Sequence, residues 1–169
     1  ERAVSHIAFN GWGRYRLPSD EQISARVAEY MGVPLYESGL VGEPGGAEAD
    51  GRGLVMAHES SWINGNRNPG LSKAEVTDRI AAAYGADRVI WGPGVKGQDV
   101  TDAHIDGFAR FTGGNRVLMQ HDASAPDDPY NRATAILKDT LTAENMEVEV
   151  IPYAFDGRID EVCYYVNYY

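Results

Sequence analysis

The stretch Ser72–Trp91, SKAEVTDRIAAAYGADRVIW, contains a complete helix pattern followed by a strand pattern. Ser72 and Glu75 have the spacing of a capping box, in which two side chains bond backbone N–H groups at the start of a helix. Apolar side chains then recur on one helical face: Val76, Ile80, and Ala83 or Tyr84. Gly85 is suited to end the helix, and Arg88–Trp91 favours a strand. The stretch therefore predicts a helix and a strand joined by a tight turn.

The same pattern occurs once upstream of this stretch. Ser19 and Gln22 match a capping box, and Gly32 marks the expected end of the helix. One helical face is apolar because it carries Ile23, Val27 and Met31. A short β-like segment, Val33–Tyr36, follows this predicted helix.

A third copy of the pattern lies downstream. We predict a helix over roughly Asp128–Thr142, with Pro129 in the first turn, where proline is tolerated. Its apolar face is formed by Ile136, Leu137 and Leu141. The β-like segment Val148–Tyr153 follows it.

Pro34 in the first of these segments, Arg88 at the start of the second and Val148 at the start of the third are separated by 54 and 60 residues. Such spacing favours one repeated supersecondary unit over a single wound sheet, and it predicts an α/β fold. Further strand candidates lie between the helices: Leu54–Ala57, Ser61–Asn64, Ile105–Phe111, Arg116–Gln120 and Val162–Tyr169.

The composition favours a globular protein, and its acidic charge would attract a cationic small molecule. The 169 residues are 43% hydrophobic and carry a net charge of -10, which opposes nucleic acids and anionic membrane surfaces. The one cysteine, Cys163, cannot form an internal disulfide, and we therefore expect a cytoplasmic location. Glu1 opens the sequence and Tyr169 closes it within a strand-like run, so we expect a fragment cut at both ends.

Gly and Pro are concentrated in two loops, residues 42–46 and 92–97, each of which follows one of the post-helix strands. Equivalent loops of a repeated unit converge on one face, where rigid strands hold binding and catalytic groups. These loops and the residues just beyond them are the first candidates for a site. Ordinary turn chemistry is the alternative, because Gly and Pro punctuate most connections.

The most informative polar cluster is Asp99–Asp106, in which His104 and Asp106 lie two residues apart at the start of a predicted strand. Side chains at this spacing share one face of a strand. A histidine can transfer protons near neutral pH, and a carboxylate can hold a guanidinium by paired charge-assisted hydrogen bonds. The alternative is a structural hydrogen-bonded pair.

A metal site is a weaker interpretation. Five side chains are of metal-ligating type: His58, His104, Asp106, His121 and Asp122. The dipeptide His121-Asp122 occurs in a polar loop without a compact histidine pair, so we interpret it as a solvated loop and predict no metal. Cys163 lies in an aromatic, β-branched run that offers nothing to lower a thiol pKa, which favours a buried structural cysteine.

Several motifs, taken in order, resemble those of the agmatine deiminase family, which also includes the bacterial peptidyl-arginine deiminases. The similar segments are residues 10–13 (NGWG), 43–45 (EPG), 66–73 (NRNPGLSK), 89–91 (VIW) and 99–106 (DVTDAHID). The last of these resembles the family's Asp-x-Thr-x-Gly-His-Val-Asp, with Ala103 in place of the glycine. Pro44 also departs from the family pattern, since the family has a glycine after its glutamate.

The resemblance implies a partial α/β propeller of repeated ββαβ-type modules, with two to three of the family's five in a single domain over residues 1–169. It implies no cofactor. It also implies hydrolysis of a guanidine group, agmatine to N-carbamoylputrescine and ammonia, through a covalent cysteine intermediate. A small cationic guanidine is the expected partner. The alternatives are another guanidine substrate, such as peptidyl arginine, and a non-catalytic protein that binds a second copy or a complementary chain.

Four residues inherit roles from the resemblance. His104 matches the family's acid/base, and Asp106 matches one of two carboxylates that grip the guanidinium. Trp12 and Glu43 are expected to contact substrate, as an aromatic wall and a counter-charge. The family's second carboxylate and its Gly-Gly-x-His-Cys nucleophile motif have no counterpart in the sequence, and Cys163 does not match that nucleophile. We therefore expect the chain alone to be inactive.

Overall fold

The computed structural model describes residues 2–14, 18–151 and 166–167. Its strands are β1 Val4–Ala8, β2 Leu35–Val41, β3 Ala47–Ala49, β4 Leu54–His58, β5 Arg88–Gly92, β6 Ala109–Gly113, β7 Arg116–Gln120 and β8 Glu147–Ile151. Its α-helices are α1 Ile23–Met31, α2 Glu59–Trp62, α3 Lys73–Tyr84 and α4 Pro129–Ala143. Short 3-10 turns occupy Asp20–Gln22, Pro44–Gly46 and Ile105–Gly107.

The strands form three small sheets within the described part of the chain. In the order β3-β4-β5, the first two strands are antiparallel and β5 joins in parallel after α3. The order β6-β7-β8 repeats this arrangement with α4 as the crossover helix. Strands β1 and β2 form a parallel pair around α1. The predicted α/β fold with a repeated unit is therefore observed.

Helix α3 forms as its sequence predicts. Ser72 accepts a hydrogen bond from the Glu75 N–H, both halves of the capping box are present, and Gly85 ends the helix in the left-handed conformation. Val76 and Ile80 are fully buried. Full burial of such aliphatic side chains contributes about 1.5–3 kcal/mol each relative to exposure.

Helix α4 begins after Asp128, whose side chain accepts from the Asn131 N–H, and Pro129 occupies the first turn as predicted. Leu137 and Leu141 are fully buried. Ile136, which we assigned to the same face, is 54% exposed. The 3.6-residue period explains this correction, because Ile136 lies one residue before Leu137 and points away from the core.

The prediction for α1 is wrong at its start and on its face. The Ser19 side chain makes no capping bond, and a 3-10 turn precedes the helix. The predicted apolar stripe is exposed, at 58% for Ile23, 40% for Val27 and 56% for Met31. The helix instead buries Ala28, because a two-stranded sheet offers little surface to cover. Gly32 does end the helix, as predicted.

One further strand prediction is wrong, and another is wrong at its start. Ser61–Asn64 lies in α2 and the turn after it, where Ser61 Oγ donates to the His58 carbonyl and Asn64 Nδ2 to the Ser60 carbonyl. Such local bonds compete with a strand. Ile105–Phe111 starts as a 3-10 turn, and its strand begins only at Ala109. Cys163 and most of the predicted strand Val162–Tyr169 lie outside the described residues.

Among the described residues, two apolar clusters form the core. One packs α4 against β4, β5, β6 and β7 through Met56, Ile90, Val117, Met119, Leu137 and Leu141. The other packs α3 against β2, β4 and β5 through Leu40, Val55, Trp62, Val76 and Ile80. None of the described helices is long and apolar enough to cross a membrane.

Candidate active site

A cavity of about 640 Å³ lies between β1, α1 and the 43–45 loop. Four residues that the sequence singled out all line it: Trp12, Glu43, His104 and Asp106. The second Gly-rich loop, residues 92–97, lies elsewhere: Gly92 and Gly94 sit directly against His58. The structure thus brings the four predicted residues together, but it does not bring the two loops to one site.

His104 and Asp106 reach the cavity from a 3-10 turn, so the prediction that they share a strand face is wrong. They converge on Gly45. A Cβ atom at Gly45 would lie 2.8 Å from His104 Nδ1 and 2.5 Å from Asp106 Oδ2. Real Cβ atoms do not approach neighbours this closely, so the absent side chain leaves room for these two polar atoms beside the cavity.

The other ring nitrogen of His104 faces Glu43, with Nε2 2.8 Å from Oε2. Both side chains are almost completely buried. Because a carboxylate accepts and does not donate, Nε2 carries the proton and Nδ1 holds the free lone pair in the neutral ring. Glu43 therefore directs the basic nitrogen of His104 toward Gly45 and Asp106.

Glu43 has a second partner that sequence reasoning missed. Arg67 Nε donates to both carboxylate oxygens of Glu43, at 3.0 and 2.9 Å, and Arg67 Nη1 donates to Asp102 Oδ2 at 2.6 Å. Asn68, Pro69 and Gly70, which follow Arg67, are typical of a turn before α3 and do not indicate a buried charge. The sequence shows a charged side chain among turn residues, but only the structure shows that this side chain is buried.

The backbone just before His104 is unusual. Asp102 and Ala103 have φ angles of 57° and 60°, a left-handed conformation that glycine adopts most readily. Ser60 Oγ donates to the Asp102 carbonyl at 2.6 Å, and His58 Nδ1 donates to the Ala103 carbonyl at 2.8 Å. Buried contacts from α2 and the end of β4 therefore hold the conformation that aims His104 at the cavity.

Asp106 is a partly buried carboxylate of the cavity wall. Burial raises its pKa, against the opposing effects of His104, Arg110 and hydrogen bonds. One of these is donated by Asn167 Nδ2 to Asp106 Oδ2 at 3.2 Å. Arg110 also pairs with Glu48, at 3.1 Å between Nη2 and Oε1. Asp106 is thus a partly buried carboxylate whose anion a cationic ligand would stabilise.

Trp12 lies on the cavity wall with 38% of its surface exposed. Its ring packs edge-on against Phe9, with centroids 5.2 Å apart and planes at 89°. An exposed indole face beside carboxylates is suited to contact a cation.

The residues of the weaker metal interpretation are dispersed. No group of three or more potential ligands could hold a metal ion in the part of the chain that the structure describes. His121 Nδ1 lies 2.8 Å from Thr134 Oγ1, and Asp122 accepts from the Ser124 hydroxyl. The first of these bonds ties the His121 loop to α4, and the second lies within the loop.

A family model described as Porphyromonas-type peptidyl-arginine deiminase matches residues 1–169. The chain belongs to this family. Within the family pattern given above, Ala103 replaces a glycine at a position whose φ is 60°. The deiminase family's glycine is thereby explained, since this backbone conformation strains any residue with a Cβ atom.

Known agmatine deiminases are similar to this member of the deiminase family. The Pseudomonas putida enzyme is 32% identical over 89% of this chain and 44% of its own length. The Medicago truncatula enzyme is 29% identical over 89% of this chain and 43% of its own. The chain thus spans a little under half the length of these relatives.

Solved structures of agmatine deiminases have the same fold over most of this chain. The Enterococcus faecalis structure has a TM-score of 0.75 and 21% identity, and covers 89% of this chain and 44% of its own. The C. jejuni C315S variant with substrate bound has a TM-score of 0.72 and 23% identity, over 88% of this chain and 45% of its own.

Proposed function

We propose that this chain supplies the acid/base and one substrate-binding carboxylate of a guanidine-hydrolysing active site. The observation that carries the proposal is the convergence of His104 Nδ1 and Asp106 Oδ2 on the space beside Gly45. In this position Asp106 binds a guanidinium N–H, and His104 exchanges protons with the nitrogen that leaves.

The charge of the cavity supports a cationic substrate. Three carboxylates line it, those of Asp20, Glu43 and Asp106, of which Glu43 is already paired with Arg67. Among the described lining residues there is neither lysine nor arginine to neutralise a substrate carboxylate. Agmatine, which carries an amine at its far end, suits this lining better than free arginine does. Trp12 and Phe9 offer aromatic surface to its methylene chain.

The proposed reaction consumes water and releases ammonia. His104 Nδ1 takes the proton of a cysteine thiol, and the thiolate attacks the guanidinium carbon. His104 returns this proton to the departing nitrogen, so ammonia leaves and a thiouronium intermediate remains. His104 then takes a proton from water, which attacks the same carbon; the adduct releases the thiolate and the ureido product, and the proton of its hydroxyl passes to the ammonia as ammonium. For agmatine the product is N-carbamoylputrescine.

The thiolate in this scheme does not come from a described residue. Cys163 is the one cysteine of the sequence, and it lies outside the described ranges. We propose that the nucleophile and the second carboxylate belong to a longer polypeptide or a complementary chain. The coverage of the relatives supports this proposal, and so do the repeated ββαβ units, which we propose form two to three modules of a five-module propeller.

Two alternatives are favoured by specific observations. The description of the matching family favours a peptidyl-arginine substrate in place of agmatine. The exposed apolar side chains of α1 favour a non-catalytic protein held by a partner, because exposed apolar clusters mark interaction sites. Substrate competition between agmatine and an arginine-containing peptide separates the first alternative from the main proposal.

Ammonia release and ligand binding together test the proposal. The 169-residue chain is expected to bind agmatine weakly, as seen by NMR, and to release no ammonia. A longer chain that adds the half present in the relatives is expected to turn agmatine over. Turnover by the 169-residue chain that disappears in Cys163→Ser would show that Cys163 is the nucleophile. A longer chain that neither binds nor hydrolyses any guanidine would overturn the proposal.

A further inference from the structure

We infer that Arg67 is a positioning residue for His104, acting through the Glu43 and Asp102 carboxylates. The inference rests on the proposed function in that His104 is the proton-transferring group. Arg67 touches neither the cavity wall at Gly45 nor the reacting position. Its role is to fix two parts of the structure: the Glu43 carboxylate, which bonds the His104 ring, and the backbone segment that precedes His104.

The first connection runs through Glu43. Arg67 has no exposed side-chain surface, and its Nε is shared between both Glu43 oxygens, at 3.0 and 2.9 Å. The same carboxylate accepts from His104 Nε2 through Oε2, at 2.8 Å. Because Arg67 sets the orientation of the carboxylate, it also sets which nitrogen of His104 carries the proton.

The second connection runs through Asp102. Its Oδ2 accepts from Arg67 Nη1 at 2.6 Å and from the side-chain amides of Asn64 and Asn66 at 3.1 and 3.2 Å. Its Oδ1 accepts from the Gly97 N–H at 2.8 Å. Burial by itself would raise the pKa of Asp102. The hydrogen bonds from Arg67, Gly97 and Asn66 together have the larger and opposite effect, so the pKa is lowered.

Arg67 also bonds the backbone that leads to His104, since Nη2 donates to the Thr101 carbonyl at 3.1 Å. One guanidinium therefore holds the left-handed segment at residues 102–103 and the carboxylate that the His104 ring meets. A lysine cannot replace it, because an ammonium has the charge of the guanidinium but not its planar fork of donors. Replacing Arg67 with lysine therefore keeps the positive charge and removes the planar arrangement of donors.

The test compares Arg67→Lys with Arg88→Met in the 169-residue chain. Arg88 is a matched control, because it is half-exposed and pairs with Glu144 at the surface. NMR detection of the His104 ring nitrogens reports which of them carries the proton, and thermal unfolding reports whether each variant folds. Neither the NMR signals nor thermal unfolding requires turnover. The test can therefore be carried out even if no hydrolysis is detected.

We expect Arg67→Lys to remain folded while the His104 ring becomes a mixture of its two neutral forms. Agmatine binding should weaken about tenfold, the loss typical of one charge-assisted hydrogen bond. Arg88→Met should change neither the protonation of the His104 ring nor the affinity for agmatine. If Arg67→Lys does not fold, Asp102→Asn, which keeps the size of the side chain, should produce the same ring mixture. A folded Arg67→Lys or Asp102→Asn with an unchanged His104 ring would overturn the inference.

Discussion

His104 Nε2 meets Glu43 Oε2 at 2.8 Å, and this contact determines the chemistry of the other side of the ring. With the proton held at Nε2, the lone pair of Nδ1 points to the space that Gly45 leaves empty. Asp106 Oδ2 borders the same space. A base and an anion are therefore presented side by side, at a spacing that depends on the absence of one Cβ atom.

Gly45→Ala is expected to abolish agmatine binding without unfolding the chain. The added Cβ would lie 2.5 Å from Asp106 Oδ2 and 2.8 Å from His104 Nδ1, so both groups must move from the space where a guanidinium would bind. Gly65→Ala is the control, since a Cβ there meets nothing within 4 Å. NMR titration with agmatine measures the effect. Equal affinity in both variants would contradict the assigned position of the site.

The elements that sequence reasoning predicted best are those whose start, apolar face and end are all determined by nearby residues. Helix α3 has its cap, its apolar stripe and its terminal glycine within one short stretch, and all three act as predicted. Helix α1 has an equally regular stripe, yet its Ile23 and Val27 line the cavity and are not packed into a core. Periodicity predicts which residues share a face but does not identify what that face will meet.

The site shows the same limit. The spacing of His104 and Asp106 placed them together in sequence, although through a 3-10 turn and not through the predicted strand. Arg67 was missed because its partners, Glu43 and Asp102, lie 24 and 35 residues away along the chain. No local pattern reports that three such charges share one buried position.

The affinity for agmatine is expected to fall with decreasing pH as Asp106 becomes protonated. Burial raises the pKa of Asp106 above its ordinary value of 3.8, so the loss should begin at a higher pH than for an exposed aspartate. A protonated carboxyl cannot pair with the guanidinium, and Asp106→Asn should bind weakly at every pH. Asp139→Asn, on the exposed side of α4, is the control. An affinity that is unchanged from about pH 7 to pH 4 would contradict this prediction.

His58 should make folding stability depend on pH. Burial lowers its pKa to about 4 from an ordinary value of 6.5, so between these values the unfolded chain binds a proton that the folded chain excludes. The free energy of unfolding should therefore rise with pH through this window, by about 3 kcal/mol in total, and should be flat with respect to His58 above it. Urea unfolding at a series of pH values measures the effect.

The matched variant for this experiment is His58→Asn, in which an amide N–H can still donate to the Ala103 carbonyl but cannot take up a proton. The rise in stability between pH 4 and 6.5 should be reduced by the contribution of His58. The same rise in both proteins would assign it to other groups.

Two histidines distinguish proton transfer from metal chemistry in the longer, active polypeptide that we propose. His104→Ala should lower kcat for agmatine by about 100- to 10,000-fold, the loss typical of a general acid/base. His121→Ala should leave kcat nearly unchanged, because the His121 ring bonds Thr134 at the start of α4 and does not line the cavity as described. The loss of this bond in His121→Ala should lower the free energy of unfolding slightly, by about 1 kcal/mol for one hydrogen bond.

Steady-state ammonia release measures kcat for both variants, and urea unfolding measures their stability. Equal losses of kcat that zinc or manganese restores would mean that a metal, and not the His104 ring, carries out the chemistry.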